Sequence, residues 1–313
     1  MFSLSRNGLA LGFVSSLGLV AAACASRAPS LARPPVSATS APAVAASKVR
    51  LNHVLGQFDE ETATAIAKNP FVTETFAGTM LSTTEADGRS WTGFYVTGRE
   101  TYVEIFGPQP KSRTGESGIG LGVDKIGELD ALANKVRSPS IPIPVRTLKI
   151  NDSDGSEIPW FKAATVIPEG NGTWLECWVM EYLPEFMSWK FAAVRSGPED
   201  ITRATFNAKK YRPERLLRDV RGAHFFAPSH ERDKFAESLA AFGWVAVRNG
   251  EDAIATSDGV ELRVTADPVR RGLVELRFAL TRPTHHESMA LGHSTLEVGP
   301  DATAVWRFAP AQQ

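Results

Sequence analysis

Cysteine and net charge are both scarce in this chain. Its 313 residues hold two cysteines, Cys24 and Cys177, too few for a disulfide framework or a zinc ribbon. Lys and Arg number 34 against 35 Asp and Glu, a formal charge of −1. A chain so balanced has no overall basic field, which excludes nucleic acid from the expected partners. What is present is a globular composition, 43% hydrophobic and 22% charged, at a length that exceeds one ordinary domain.

Residues 1–23 carry one charge, Arg6, ahead of the run GLALGFVSSLGLVAAA from Gly8 to Ala23. A positive end, a short apolar core and small residues before a cut site mark a secretory signal, and the run is short for a membrane-spanning helix. Val20-Ala21-Ala22-Ala23-Cys24 resembles a bacterial lipobox, which implies that Cys24 is lipidated and becomes the first residue of the mature chain. Residues 25–47 are 18 parts in 23 Ala, Pro, Ser or Thr with no aromatic, a composition that cannot bury enough surface to fold. Extended at ~3 Å per residue, such a tether reaches ~70 Å. The expected location is the bacterial cell envelope, with the membrane engaged through the lipid on Cys24 and the domain facing the periplasm in a diderm. A secreted or soluble periplasmic protein is the alternative.

From Val49 onward the chain repeats one pattern. The first copy reads strand LNHVLGQF (51–58), a helix capped by Asp59 and stopped at Asn69-Pro70, then strands near 79–84, 91–98 and 101–108. A second copy follows with strand GIGLGVD (118–124), a helix with Ile126, Leu129, Leu132, Ala133 and Val136 on one face, and strands 146–152, 161–168 and 174–184. The third begins at GAHFFAP (222–228), with Ser229 as cap and strands 244–249, 252–258 and 260–268. The fold class is therefore α+β: tandem β-α-β-β-β modules, then a third such module with extra C-terminal strands at 272–283, 293–300 and 303–310. The expected organisation is signal 1–23, tether 24–48, two-module domain 49–196, solvated connector 197–217, and third module with C-terminal strands 218–313.

Tandem modules opening with NHV and closing with VEIFGP resemble the vicinal oxygen chelate superfamily, which includes glyoxalase I, bleomycin-resistance proteins and extradiol dioxygenases. The resemblance covers about residues 49–185 and, more loosely, 219–268, and the whole chain also looks like an uncharacterised bacterial family related to that superfamily. It implies a glyoxalase-like barrel enclosing a cleft, in which the enzymes hold one divalent metal, Zn, Mn, Fe or Ni, on the first and last strands of each module. Carried over residue by residue, His53, Glu104 and Glu181 become the implied metal ligands, with Glu176 the register alternative to Glu181. The fourth place falls on Gly118, which has no ligand atom, so a 2-His-1-carboxylate iron site is not satisfied. Glu104, Glu181 and Glu261 align at the last strands of the three copies, and His53 and His224 at the first strands.

Without metal, Glu104 in a closed cavity is the candidate general base, since desolvation favours its neutral acid. Trp174, Trp178 and Tyr182 are the candidate lining of a ligand cleft, within an aromatic-rich stretch that otherwise serves as core. Cys177 shares strand parity with Glu181. His285, His286 and His293 read as a polar loop. The motif GIGLG fails as a dinucleotide fingerprint because it lies inside a strand.

Three functions follow as expectations. The leading one is an exported, lipid-anchored protein that binds a small molecule in the barrel cleft. A metal-dependent lyase or isomerase of the superfamily is the second. The third is an interaction or self-association module, giving a homo-oligomer through the open concave face of the third module. Radiolabelled palmitate is expected to label the chain expressed in a bacterium and to be lost in Cys24→Ala; equal labelling of both, or of neither, refutes the anchor.

Overall fold

The computed structural model describes residues 49–312 apart from positions 87, 111, 137–142, 153 and 168–171. The signal, Cys24 and the tether lie outside the described residues. The first module comprises β1 (Arg50–Gln57), α1 (Glu60–Lys68), a π-helical turn (Phe71–Phe76), β2 (Gly78–Ala86), β3 (Arg89–Thr97) and β4 (Tyr102–Phe106). Asp59 caps α1 by accepting the Thr62 N–H at 2.9 Å. Asn69 ends the helix in an extended conformation (ψ 121°), as a residue before proline must largely leave the helical region.

The second module repeats the order with β5 (Ser117–Gly122), α2 (Glu128–Val136), β6 (Val145–Asn151), β7 (Glu157–Ile167) and β8 (Leu175–Tyr182). The two modules close a barrel in the order β1-β4-β3-β2-β6-β7-β8-β5. In each module the first strand is parallel to the last, and β1 meets β5 antiparallel over most of its length. The opposite seam is thin: among the described residues β2 and β6 share the single pair Ala86↔Ile150.

Strand β8 stops at Tyr182, and Pro184 opens α3 (Pro184–Phe191) in the helix position where a missing N–H costs nothing. The segment 197–217, expected as a solvated connector, instead contains α4 (Arg203–Asn207), N-capped by the Thr202 side chain. Arg203, Phe206 and Asn207 are buried, because they recur at the i, i+3, i+4 spacing that puts side chains on one helical face. The basic residues around them had suggested exposure.

The third copy follows as β9 (Leu217–Ala227), α5 (Ser229–Ala241), β10 (Val245–Asn249), β11 (Asp252–Ser257) and β12 (Val260–Ala266). It opens at Leu217 rather than Gly222, since Leu217 and Val220 already join the core. Strands β13 (Arg270–Leu280), β14 (Glu287–Leu291), β15 (Ser294–Val298) and β16 (Thr303–Phe308) extend its sheet in the order β10-β11-β12-β9-β13-β16-β15-β14, and the short β17 (Ala311–Gln312) pairs with β13. The apolar face of this sheet packs against the outside of the barrel: Phe76 meets Phe278 at 5.5 Å and Trp306 at 6.3 Å, and Phe58 stacks on Phe308 at 4.7 Å. Its other face is polar, crossed by ion pairs such as Arg277–Glu261 at 2.7 Å.

Helix α5 is tied to the barrel by one side chain. The buried Glu231 carboxylate accepts the backbone N–H groups of Trp174 (3.0 Å) and Leu175 (2.8 Å) at the start of β8. Glu231→Ala leaves both donors buried and unpaired, at a cost of about 2–5 kcal/mol. Urea unfolding is expected to show that loss as a lowered midpoint, with Glu231→Gln costing less because it keeps one acceptor oxygen.

Candidate functional site

The barrel interior is set by strand parity. On β4, Tyr102 and Glu104 point inward while Val103 and Ile105 join the outer core; on β8, Trp178, Met180 and Tyr182 point inward while Leu175, Cys177 and Val179 point out. Every inward position of β5 is a glycine: Gly118, Gly120 and Gly122. A Cβ on Gly120 would lie 2.2 Å from Cε1 of His53, and one on Gly122 would lie 3.1 Å from Nδ2 of Asn52. The bare strand therefore makes room for two neighbours from β1. A bulge between Leu51 and His53 supplies them, since it turns the adjacent Asn52 and His53 to the same side.

His53 is fully enclosed. Its ring stacks on Tyr102 at 4.6 Å and meets Trp178 edge-on at 5.2 Å. Burial pushes its pKa down to about 3, so the imidazole is neutral. Nδ1 lies 3.1 Å from Oδ1 of Asn52, whose Nδ2 donates to the Tyr182 hydroxyl at 3.4 Å. An amide oxygen only accepts, so Nδ1 carries the hydrogen and the Nε2 lone pair is left facing Oε1 of Glu104 at 4.0 Å. Burial lifts the Glu104 carboxyl to about 7, against the pull of Lys210 and the Tyr102 hydroxyl. At 4.0 Å the two groups are too far apart to bond directly.

Among the described residues four carboxylates are buried: Glu104, Glu181, Asp219 and Glu231. Three accept backbone N–H groups. Glu231 takes Trp174 and Leu175, Glu181 takes Gly127 and Leu129 at 2.9 Å each, and Asp219 takes Glu100 at 2.7 Å and Thr101 at 3.0 Å. Glu104 has no backbone donor among the described residues and faces side chains of the chamber.

The inward side chains of the barrel, whose enclosed interior is the chamber, are covered by α3 and α4. Phe206 stacks on Tyr182 at 4.4 Å, and Phe186 and Phe191 pack around it. Beyond α4, Lys210 sits 5.1 Å from the Tyr95 ring and 5.3 Å from Phe206; burial lowers its pKa to about 8, opposed by Glu104. Among the described residues several buried polar atoms have no partner: both amide atoms of Asn207, the Trp160 indole nitrogen and the Thr97 hydroxyl. Trp160 also stacks on Trp91 at 6.4 Å beside the thin seam. Sequence reading missed Asn52, Lys210 and the cover helices; the glycines of GIGLG, at alternate positions on a strand, were the available signal for a close approach.

The structure brings His53 and Glu104 together but not Glu181. Glu181 lies off the inward set of β8 and caps α2 from outside the barrel. With Gly118 matched to His53, Gly120 pairs with Trp178, so Trp178 is the counterpart of Glu104, and aligning MEYLP with VEIFGP slips by three and reverses the face. Cys177 shares that outward face, as the parity required; it is buried, with its thiol pushed up to about 12. A Cβ at Gly118 would meet Leu55 at 3.0 Å and Trp178 at 3.1 Å, so that place is filled by neighbours. The residues present offer a metal one imidazole and one carboxylate, and among the described residues no group of three His, Cys, Asp or Glu converges. Two donors do not fit the metal centre implied by the resemblance.

Trp178 and Tyr182 line the chamber. Trp174 does not: it precedes β8, and its ring lies under the Arg113 guanidinium at 3.9 Å. In the third copy, His224 bonds to Thr265 at 2.8 Å. Since β1 pairs Leu55 with Glu104 and β9 pairs Phe226 with Thr265, Thr265, not Glu261, is the counterpart of Glu104 once His53 and His224 are matched. His293 lies 3.3 Å from Asp59, tying the second sheet to the cap of α1, while His285 and His286 fall in the loop before β14.

Residues 51–308 match the model of a family of unknown function, DUF5829. No curated protein matches the chain. Among solved structures, a hypothetical protein from Staphylococcus aureus is similar at 9% identity and a TM-score of 0.46, over 78% of this chain and 96% of that one. A single-residue variant of homoprotocatechuate 2,3-dioxygenase from B. fuscum is similar at 11% identity and 0.39, over 87% and 74%. A catechol 2,3-dioxygenase is similar at 11% and 0.40, over 86% and 91%. Likenesses of this size assign no activity.

The raised pKa of Glu104 has a consequence for stability. Its folded value, about 7, lies above the ordinary 4.5, so the folded state binds the extra proton between them. The stability this contributes is full below pH 4.5 and is lost as pH rises through about 7, a change on the order of 3 kcal/mol. Unfolding free energies measured from about pH 4 to 8 are expected to show this downward component, and Glu104→Gln is expected to remove it.

Proposed function

We propose that this chain, which belongs to the family of unknown function DUF5829, binds a small, largely apolar molecule carrying a hydroxyl group in the chamber of its barrel. One observation carries the reading: Glu104 is the buried carboxylate with no backbone donor among the described residues, and it faces the lone pair of a neutral His53 across 4.0 Å. Burying a carboxyl without such a partner is costly, and proteins keep such groups where they act. A ligand hydroxyl donates to Nε2 of His53 while accepting from the protonated Glu104. The aromatic walls, Tyr95, Tyr102, Trp178 and Tyr182, take the apolar remainder, and α3 with α4 yields to admit it.

A second reading is favoured by the carboxyl titrating near neutrality. Deprotonated, Glu104 is placed to take a proton from the bound hydroxyl or a neighbouring carbon, which is general-base chemistry without a metal. In either case the proposed setting is the cell envelope, with Cys24 as lipid anchor and residues 24–48 as tether.

Phenol is the simplest probe of the chamber. The chain is expected to show a saturable change in tryptophan fluorescence with phenol, weakened about ten- to a hundredfold in Glu104→Leu, and native mass spectrometry of gently purified protein is expected to show a bound small molecule. An unsaturable response together with a bare protein mass overturns the reading.

A further inference from the structure

We propose that a groove at the junction of the barrel and the second sheet binds the phosphoryl group of a small soluble phosphomonoester. The groove has a volume of about 200 Å³ and lies where the β3–β4 turn meets the start of β9. That junction is tightly built. Arg99 donates its backbone N–H to the Arg218 carbonyl at 2.7 Å, and Asp219 accepts the N–H groups of Glu100 and Thr101. A Cβ on Gly98 would lie 2.5 Å from the Arg218 carbonyl oxygen, so the approach requires glycine.

Five arginines line the groove: Arg50, Arg99, Arg203, Arg218 and Arg221. Two are neutralised, Arg50 by Asp258 at 2.7 Å and Arg203 by Asp124 at 3.1 Å and by Glu100, a carboxylate of the same lining, at 3.4 Å. The Asp219 carboxylate is spent on the turn. Among the described residues, Arg99 and Arg218 have no carboxylate partner, and Arg221 reaches only the Asp258 carbonyl at 3.5 Å.

The backbone of β9 is deformed where two of these side chains arise. Its ladder with β13 pairs Leu217 with Leu280 and Asp219 with Ala279, skipping Arg218; it pairs Val220 with Phe278 and Gly222 with Arg277, skipping Arg221. On a regular strand Arg218 and Arg221 would point to opposite faces; bulges re-aim side chains, and here both line one groove. Three guanidinium groups with no carboxylate partner among the described residues line this concavity, and an anion between them relieves their mutual repulsion. Guanidinium forks match phosphate oxygens, and a phosphoryl dianion offers three terminal oxygens where a carboxylate offers two.

The test uses the full chain at constant ionic strength, with inorganic phosphate and glycerol 3-phosphate as probes and succinate as the dicarboxylate control. Calorimetry and thermal melting are expected to show saturable binding of both phosphates, with succinate at least about tenfold weaker. The Arg99→Ala/Arg218→Ala variant, altered at two exposed positions, is expected to lose at least about tenfold in phosphate affinity while melting no lower than the parent without ligand. No saturable shift, an equal shift in the variant, or succinate binding as tightly as phosphate overturns the proposal.

Discussion

The bare inner face of β5 is the constraint on which the rest of the barrel interior depends. Closing two modules into a barrel brings β1 and β5 together at their shared axis, where two full rows of side chains would collide. Glycine at 118, 120 and 122 removes one row. The His53 ring then lies over Gly120, stacks on Tyr102 and presents Nε2 to Glu104, while Asn52 crosses Gly122 to reach Tyr182. Each polar group of the chamber thus owes its position to side chains that are missing opposite it.

The buried carboxylates divide on the same principle of local pairing. Glu181, Asp219 and Glu231 each satisfy backbone donors and tie one element to another: α2 to β8, the β3–β4 turn to β9, and α5 to the barrel. These serve as pins, and their charge is compensated where it sits. Glu104 has no backbone donor among the described residues and only side chains such as the Tyr102 hydroxyl against it, and burial has raised its pKa to about 7. That contrast separates the acid available to a ligand from those committed to the fold.

The module order was legible in the sequence because it is written in strand periodicity and in caps such as Asp59. The same period of two also limited the reading. A slip of three residues put Glu181 on the wrong face, and a slip of four made Glu261 the counterpart of Glu104, since short motifs such as MEYLP fix a strand but not its register. His53 and Glu104 were found; Asn52 was not, because only a bulge turns it inward. The charge of residues 197–217 concealed α4, whose buried face depends on an aromatic and a polar residue meeting a barrel mouth that no local pattern encodes.

The seam at Ala86 and Ile150 bears on how this molecule moves. One side of the barrel is a long antiparallel ladder between β1 and β5, and the other, among the described residues, is a single bridge. Fewer backbone hydrogen bonds resist separation at the second edge than at the first. The barrel is thus held shut on the side that seats the histidine and most weakly closed along the edge beside Trp91 and Trp160.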